Sequence, residues 1–365
     1  MSFLGETEMN IDNLTSFGWD EFFADHFQPY AADGYTSGRI ALEHKHSYRL
    51  YSEWGEVYGE ISGKLRHEAL DRGNLPVVGD WVVINPSPER VIIHAVLPRK
   101  SMFTRKVAGL RTEKQIVASN IDTVFLVTSL NQDFNPRRVE RFLIVAWESG
   151  ARPIVILSKS DLCDDVEERI DEIKAVAGDV PIHAVSAVRR AGLDQLAQYL
   201  KHGQTAAFLG SSGVGKSTLI NYLLGREYLR VQETREHDDR GRHTTTHREL
   251  IVLPQGGLVL DTPGMRELQL WDGEDGLHIA FADIEAVASN CYFSDCQHQD
   301  EPRCAIREAL AEGTIDEARY ESYEKLQKEL TYLARKQDIR SAIAEKKKWK
   351  RLSRDASQRA QMKRR

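Results

Sequence analysis

The feature that most constrains this chain is a glycine-rich stretch at residues 210–217, which reads Gly-Ser-Ser-Gly-Val-Gly-Lys-Ser. It matches the phosphate-binding motif G-x-x-x-x-G-K-[ST] at every fixed position. The apolar run 205–209 predicts a buried strand before it, and residues 218–224 predict a helix that ends at Gly225. A loop between a strand and a helix is the setting that this motif requires, so we expect nucleotide phosphates to bind here.

The residue types in this loop have distinct predicted tasks. The glycines let the backbone wrap around phosphate oxygens and turn its N–H groups inward. Lys216 is expected to reach the β- and γ-phosphates, and the Ser217 hydroxyl to bind Mg²⁺. The alternative is a Gly/Ser-rich turn with a chance lysine. The predicted nucleotide contacts are Gly210, Ser211, Ser212, Gly213, Val214, Gly215, Lys216, Ser217 and Thr218.

A second motif, Asp261-Thr-Pro-Gly264, follows a run that predicts a buried strand. The Asp261 carboxylate suits a position behind the direct ligands of Mg²⁺, and the Gly264 N–H can sense a γ-phosphate. Thr245 lies between the two motifs, and we predict that it closes over Mg²⁺ as a switch residue, the alternative being a charged surface loop. Met265 replaces the glutamine that orients water in Ras-like enzymes, so we expect slow intrinsic hydrolysis, with His243 as the candidate water-orienting residue.

Base recognition is predicted at Ser158-Lys159-Ser160-Asp161, directly after the apolar run 154–157. The Asp161 carboxylate can accept hydrogen bonds from guanine N1–H and N2–H₂, donors that adenine lacks. The Lys159 stem can cover the base plane, and Ser158 stands where asparagine is usual. The loop at Ser186 and Ala187 follows another strand-like run and is expected to contact the guanine O6 through its backbone.

The order of these motifs is unusual, because base recognition precedes the phosphate loop along the chain. An ordinary GTPase has the phosphate loop first. If both motifs are real, the chain contains a circularly permuted GTPase domain. The permutation puts the switch and Asp261 at the C-terminal edge of that domain, so we hypothesise that the segment after them responds to nucleotide state.

Residues 291–304 contain three cysteines and one histidine, and only Cys163 lies elsewhere. Such a dense group of soft and borderline ligands predicts a closed, tetrahedral zinc site with a structural role. A disulfide is the main alternative, and it is disfavoured because the chain has no secretory signal. The predicted zinc ligands are Cys291, Cys296, His298 and Cys304.

The N-terminal third contains five runs that alternate apolar and polar residues, at 38–44, 47–52, 56–66, 80–85 and 90–96. Five short strands within about sixty residues predict a small barrel, and the OB-fold is favoured. Such barrels often bind RNA. Two basic pairs, Arg99-Lys100 and Arg105-Lys106, extend an RNA-facing surface in one interpretation and form a solvated linker in the other.

Charge is distributed unevenly, since a net charge of −6 hides a C-terminal tail at 335–365 with 13 basic and 3 acidic residues. That tail carries +10, which leaves −16 on the rest of the chain. A basic tail on an acidic body indicates a polyanionic partner, and RNA is favoured over a membrane because no apolar face accompanies the charge. The alternative is a solubilising tail. No apolar run is long enough for a membrane span.

Together these residues resemble the ribosome small subunit-dependent GTPase family (RsgA, also called YjeQ or YloQ). The resemblance rests on the permuted motif order, on the Cys-x₄-Cys-x-His-x₅-Cys spacing, and on the segments 241–246, 261–264, 131–138 and 78–82. It implies an N-terminal OB-fold β-barrel, a circularly permuted α/β P-loop GTPase domain and a C-terminal α-helical zinc-binding domain. It also implies late maturation of the small ribosomal subunit, with hydrolysis of GTP to GDP and phosphate stimulated by that subunit and its rRNA.

The predicted organisation is an extension at 1–37, the OB-fold at 38–112, the GTPase domain at 113–273, the zinc-binding domain at 274–334 and the basic tail at 335–365. We expect a cytoplasmic monomer that uses Mg²⁺ with GTP and holds one zinc ion. Two other functions stay open: an rRNA-binding assembly factor whose docking is regulated by nucleotide with incidental turnover, and a P-loop ATPase or kinase.

Overall fold

The computed structural model describes residues 12–45, 47–69, 72–106, 114–229, 248–261 and 274–335. The chain divides into two compact units, the first being residues 1–105 with 114–269 and the second being residues 106–113 with 270–365. Within the described ranges, no helix is long and apolar enough to cross a membrane.

The first unit begins with two helices, α1 (Asp12–Ser16) and α2 (Glu21–Ala32), in the segment that was predicted only as an extension. The Asp20 side chain accepts a hydrogen bond from the Phe23 N–H at 3.5 Å and caps α2. Phe23 is buried, and both it and Trp19 lie against the Trp81 ring, at centroid distances of 5.8 and 4.8 Å. Aromatic packing therefore docks the extension onto the barrel that follows.

Five strands close into that barrel: β1 (Thr36–Glu43), β2 (Tyr48–Ser52), β3 (Gly55–Ile61), β4 (Trp81–Ile84) and β5 (Val91–Val96). They pair in the order β1, β2, β3, β5, β4 and back to β1, with β3 and β5 parallel and the other pairs antiparallel. Alternate side chains fill the interior, and Ile40, Leu50 and Ile93 are fully buried. The predicted five-stranded OB-like barrel is confirmed.

The third predicted strand, 56–66, is wrong in its second half. Strand β3 ends at Ile61, and Gly63–Glu68 form helix α3. The Ser62 hydroxyl accepts a hydrogen bond from the Leu65 N–H at 3.0 Å, so Ser62 caps this helix. The alternation of apolar and polar residues continues past the true end of the strand. The helix cap at Ser62 is what ends the strand and starts α3.

A two-stranded sheet of β6 (Met102–Lys106) and β7 (Lys114–Ser119) leads into a larger sheet. Its six strands are β8 (Thr123–Ser129), β9 (Arg152–Ser158), β10 (Ile182–Ala184), β11 (Thr205–Leu209), β12 (Glu249–Val252) and β13 (Leu258–Asp261). They lie side by side in the order β10, β9, β8, β11, β13, β12, and all are parallel except β12. The last strands in the sequence therefore lie beside β11, which occupies the middle of the sheet.

The helices between these strands are α4 (Pro136–Ser149), α5 (Val166–Ala177), α6 (Asp194–Ala197) and α7 (Lys216–Leu224). Helix α4 begins with an Asn135 cap and proline in the first turn, and it ends at Gly150 in the left-handed conformation, with φ of 81°. Buried side chains of α4 such as Leu143 pack on the sheet. This alternation of strands and helices is typical of a doubly wound α/β fold.

The barrel and the larger sheet are continuous, since β1 pairs with β12 at Leu42 and Glu249. Arg39 joins other segments of the first unit: its buried guanidinium donates to the carbonyls of Gly79 at 3.2 Å and Asn120 at 2.7 Å, and also to that of Phe17. Burial lowers the pKa of Arg39 to about 10. One arginine thus satisfies carbonyls from the extension, the barrel and the segment that leads into β8.

The second unit is helical, with α8 (Glu274–Ala280), α9 (Ala282–Ala288), α10 (Ala305–Glu312) and α11 (317–335). Phe281, Ile284 and Ile306 are fully buried, and the Phe281 ring lies 5.4 Å from that of Tyr323. Arg319 donates two hydrogen bonds of 2.8 Å to Asp283, and its guanidinium lies 4.8 Å from the Phe281 ring centroid. Burial favours a raised Asp283 pKa, but the Arg319 hydrogen bond and charge outweigh it and lower that pKa.

Candidate nucleotide site and metal centre

The sequence motifs converge at one edge of the larger sheet. Strands β9, β11 and β13 run in the same direction within the parallel part of the sheet, and each ends at a motif: Ser158, Leu209 before the phosphate loop, and Asp261. The carboxyl ends of parallel strands are where open α/β sheets bind ligands. The fold therefore collects residues that are far apart in sequence into one candidate nucleotide site.

The phosphate loop has the backbone that its glycines permit. Gly213 and Gly215 have φ of 77° and 98°, a region that other residues rarely adopt. A Cβ at Gly210 would lie 2.3 Å from the Val127 carbonyl oxygen, so only glycine fits there. The Lys216 ammonium donates to the carbonyls of Gly210 at 2.7 Å and Ser211 at 2.5 Å, which holds it across the loop.

Helix α7 starts at Lys216, directly after the loop, so its free N–H groups and positive dipole end face the loop. Ser217 and Thr218 lie in its first turn, and the side chain of Val214, within the loop, is buried. The predicted strand, loop and helix are thus found in the expected order. This backbone arrangement suits an anion of several phosphates.

The base-recognition segment turns sharply after β9. Lys159 has a left-handed backbone, with φ of 57°, and begins a 3₁₀ turn over Ser160–Leu162. The Ser186 hydroxyl donates a short hydrogen bond to Asp161 Oδ1. Ser186 and its neighbour Ala187 lie in a loop after β10 that is closed by a bridge between Ser186 and Ala191. The two predicted base-contact segments therefore touch through the carboxylate that would read guanine.

Ser158 has a different contact from the one that its motif position suggests. It is 3% exposed, and its hydroxyl donates to the Val214 carbonyl of the phosphate loop at 2.6 Å. The two residues are 56 positions apart in the chain. The serine therefore braces the phosphate loop against β9, a role that does not require an amide.

Arg138 is a site residue that the sequence did not single out by function. Its guanidinium Nη1 donates to Ser211 Oγ in the phosphate loop at 2.9 Å and to Asp133 Oδ2 at 2.7 Å. Ser211 lies 73 positions away, so no local pattern connects the two. The available signals were the resemblance of segment 131–138 to the family and the position of Arg138 in the first turns of a helix that follows a parallel strand.

Several predicted residues lie outside the described residues: His243 and Thr245 in 230–247, and Gly264 and Met265 in 262–273. Their roles stay predictions.

Asp261, by contrast, is described: it ends β13 and pairs directly across from Glu249 on β12. The basic tail also lies outside the described residues, apart from Arg335.

The Cys₃His cluster has metal-binding geometry. Its four ligand atoms lie within 4.8 Å of one another. Two sulfurs are 4.0 Å apart (Cys291 and Cys304), and His298 Nδ1 is 3.6 Å from the first and 3.4 Å from the second. Tetrahedral zinc with bonds of about 2.3 Å to sulfur and 2.0 Å to nitrogen places ligand atoms about 3.5–3.8 Å apart. The donor set and its spacing fit that ion.

Local electrostatics differ between two of these thiols. Burial acts to raise the pKa of Cys291, but backbone N–H groups of Ala305 and Ile306, at the start of α10, outweigh it and lower that pKa. Burial raises the pKa of Cys296 to about 11. The helix start thus favours a thiolate at Cys291, the form that binds metal.

Two of the basic residues with two open interpretations, Arg99 and Lys100, have acidic partners within the protein. Arg99 donates to both Asp80 oxygens at 2.7 Å and to the Gly73 and Leu75 carbonyls, while Lys100 pairs with Asp20 and lies 4.9 Å from the Phe23 ring centroid. Asp80 is fully buried, so its charge requires a partner inside the protein. Arg99 and Lys100 therefore contribute to the stability of the fold.

Family models match the chain in two overlapping regions. The model described as RsgA GTPase matches residues 96–271, and a model described as ABC transporter matches residues 193–364. Both ranges contain the phosphate loop, which many nucleotide-binding families share. The first range alone also contains the base-recognition segment at 158–161.

Sequence relatives match almost the whole chain. The small ribosomal subunit biogenesis GTPase RsgA of Opitutus terrae is 48% identical in an alignment of 350 residues that covers 93% of this chain and 95% of that protein. The small ribosomal subunit biogenesis GTPase RsgA 1 of Oceanobacillus iheyensis is 47% identical, over 86% of this chain and 91% of that protein.

Solved structures agree with this assignment. The crystal structure of YjeQ from Thermotoga maritima aligns with a TM-score of 0.62 and 29% identity, over 81% of this chain and 99% of that one. YloQ, a circularly permuted GTPase, aligns with a TM-score of 0.60 and 25% identity, over 81% and 95%. The predicted permutation is thereby confirmed, and the chain belongs to the RsgA GTPase family.

Proposed function

We propose that this GTPase binds the small ribosomal subunit late in its maturation, hydrolyses GTP when the subunit completes its active site, and leaves in the GDP form. The observation that carries the proposal is the match to small ribosomal subunit biogenesis GTPases along 93% of the chain. The site geometry supports it, because the base-recognition and phosphate segments meet at one edge of the sheet.

In the proposed mechanism, the guanine N–H donors bind the Asp161 carboxylate, which Ser186 holds in place. Adenine lacks those donors, so Asp161 selects against ATP. Lys216 then exchanges its loop carbonyls for the β- and γ-phosphates and neutralises charge that grows on them during hydrolysis. The loop carbonyls keep Lys216 at the site before GTP arrives, so little reorganisation accompanies binding.

Magnesium with GTP is assigned to the hydroxyls of Ser217 and Thr245, and the carboxylate of Asp261 is assigned a place beside the groups that bind the ion directly. The ion neutralises phosphate charge when bound. Gly264 is proposed to sense the γ-phosphate, and His243 to orient the attacking water, because Met265 cannot accept a hydrogen bond as glutamine does.

One structural zinc ion is proposed for Cys291, Cys296, His298 and Cys304. Support comes from the mutual spacing of their ligand atoms and from the N–H groups at the start of α10. With four protein ligands, the ion has no open position for substrate, which favours a structural role. It joins the loop 291–304 to the helix that follows.

RNA contact is proposed for the barrel, the helical unit and the tail at 335–365, whose charge is +10 from 13 basic and 3 acidic residues. The rest of the chain is acidic, so the tail supplies the long-range attraction to phosphates. A monomer in the cytoplasm, where ribosomal subunits mature, completes the proposal.

Cosedimentation with purified small subunits tests this assignment. The full chain with a non-hydrolysable GTP analogue is expected to pellet with subunits, and with GDP it is expected to stay in the supernatant. A chain truncated before Arg335 is expected to bind about tenfold more weakly at low salt, because phosphate contacts are lost. Equal pelleting with GDP and the GTP analogue would contradict nucleotide-dependent release.

A further inference from the structure

The barrel and the proposed magnesium carboxylate are linked through a single glutamate. Glu249, the second described residue after 230–247, occupies one register position in two strand pairings. On one side it pairs with Leu42 of the barrel strand β1, and on the other with Asp261 at the end of β13. Glu249 therefore lies between the barrel strand β1 and the end of β13, where Asp261 is located.

Both carboxylate oxygens of Glu249 have partners. Arg49, on the barrel strand β2, donates from Nη2 to Oε1 at 2.6 Å, and the Tyr228 hydroxyl donates to Oε2 at 2.8 Å. Tyr228 follows α7, the helix that begins at the phosphate loop. The Tyr51 hydroxyl, also on β2, donates to the neighbouring Leu250 carbonyl at 3.0 Å. Two barrel side chains thus hold the start of β12.

This pair lies in a poorly hydrated position. The side chains of Arg49 and Glu249 are 16% and 23% exposed, so water screens their charges incompletely. Residues directly opposite in antiparallel strands place their side chains on the same face, about 5 Å apart at Cβ, and like charges there repel. Without Arg49, the carboxylates of Glu249 and Asp261 would repel each other across β12 and β13.

We propose that Arg49 and Glu249 form a charge pair through which the barrel sets the affinity of the nucleotide site for magnesium beside Asp261. The inference rests on the proposed magnesium role of Asp261. While the pair is intact, Glu249 adds no net charge beside the cation and has no free oxygen to compete for it. A ligand on the barrel that draws Arg49 away would change magnesium affinity, and by linkage magnesium would change the affinity of that ligand.

Neutral substitutions separate this electrostatic role from a structural one. Glu249→Gln leaves Arg49 with the more exposed Glu56, at 3.8 Å, as its acidic partner and removes a negative charge near Asp261. It is expected to raise the Mg²⁺ concentration for half-maximal nucleotide binding by about fivefold. Arg49→Gln leaves the Glu249 charge without its arginine, with the neutral Tyr228 hydroxyl still donating to it, and is expected to lower that concentration by a similar factor. The double variant restores neutrality and is expected to return within about twofold of the unmodified chain. A merely structural pair would weaken binding in both single variants.

The measurement is a Mg²⁺ titration of fluorescent, non-hydrolysable GTP-analogue binding to the full chain, without ribosomal subunits. Arg169→Gln is the matched control, because Arg169 pairs with Glu172 on the exposed side of α5. Thermal melting of each variant shows whether it is folded, and a variant that does not fold is replaced by Arg49→Lys or Glu249→Asp.

Two results are informative beyond the expected one. If Asp261→Asn raises the Mg²⁺ requirement while Arg49→Gln and Glu249→Gln shift it in the same direction or leave it unchanged, the charge pair is overturned and the proposed site stands. If Asp261→Asn has no effect either, the magnesium assignment in the proposed function fails first.

Discussion

The nucleotide site and the Cys₃His cluster are assembled in opposite ways. The first draws on Ser158, the phosphate loop and Asp261, which lie on three strands of one sheet. The second draws all four ligands from residues 291–304. A site made from distant segments requires the fold to exist first, whereas a cluster made from neighbouring residues leaves the fold dependent on the ion. The first site should therefore survive the loss of metal, and the second should not.

Removal of a zinc ligand is the strongest way to break this comparison. Cys304→Ser is expected to cost the second unit about 5 kcal/mol or more of folding free energy, because metal binding supplies much of it. Zinc content by elemental analysis and helix content by circular dichroism would both fall, while GDP affinity would stay within about twofold. Cys163→Ser, outside the cluster, is the control. Loss of GDP binding in Cys304→Ser alone would contradict the independence of the two sites.

Lys216→Ala tests the nucleotide site, the other member of the comparison. We expect kcat for GTP to fall by about 100-fold or more, since a preorganised positive charge on the phosphates is lost. Zinc content is expected to be unchanged. Lys201→Ala removes an exposed lysine of the same unit and serves as the control. A retained rate in Lys216→Ala would show that the loop is not the phosphate site.

Gly210→Ala tests how closely the phosphate loop packs against strand β8. The added Cβ would meet the Val127 carbonyl oxygen at 2.3 Å, so backbone must move at a cost of about 2–3 kcal/mol. Urea unfolding gives this difference. Gly63→Ala is the matched control, because a Cβ there meets nothing within 4 Å and the residue lies in the first turn of α3. Equal stability of the two variants would contradict the close packing of loop and β8.

Ser158→Ala is expected to have the smallest effect. Loss of the hydrogen bond to the Val214 carbonyl costs about 1–2 kcal/mol and should weaken GDP binding by about three- to tenfold. Ser52→Ala removes a comparable hydroxyl bond, to the Gly55 carbonyl in the barrel, and should leave GDP affinity unchanged. If both variants bind GDP like the unmodified chain, Ser158 does not brace the phosphate loop.

The same contrast explains what the sequence could predict. The barrel strands, the phosphate loop and the metal cluster follow from local periodicity, turn residues and ligand spacing, and the structure has them at or near the predicted positions. Motif order alone predicted the permutation.

Contacts between distant segments could not be predicted in that way. Arg138 reaches Ser211, Arg39 joins three carbonyls and β1 pairs with β12, and none of these partners is near in sequence. The basic character of Arg99 and Lys100 was visible, but their acidic partners Asp80 and Asp20 were not. The sequence around a charged residue does not show whether its partner is inside the protein or on another molecule.

Single-turnover hydrolysis of labelled GTP, with and without purified small subunits, tests the central claim most directly. With excess protein, subunits are expected to raise the hydrolysis rate constant by at least about tenfold, and Lys216→Ala is expected to abolish the increase. If the rate constant is the same with and without subunits while the protein still binds them, the chain is an rRNA-binding factor with incidental turnover, and the account of a subunit-triggered GTPase is wrong.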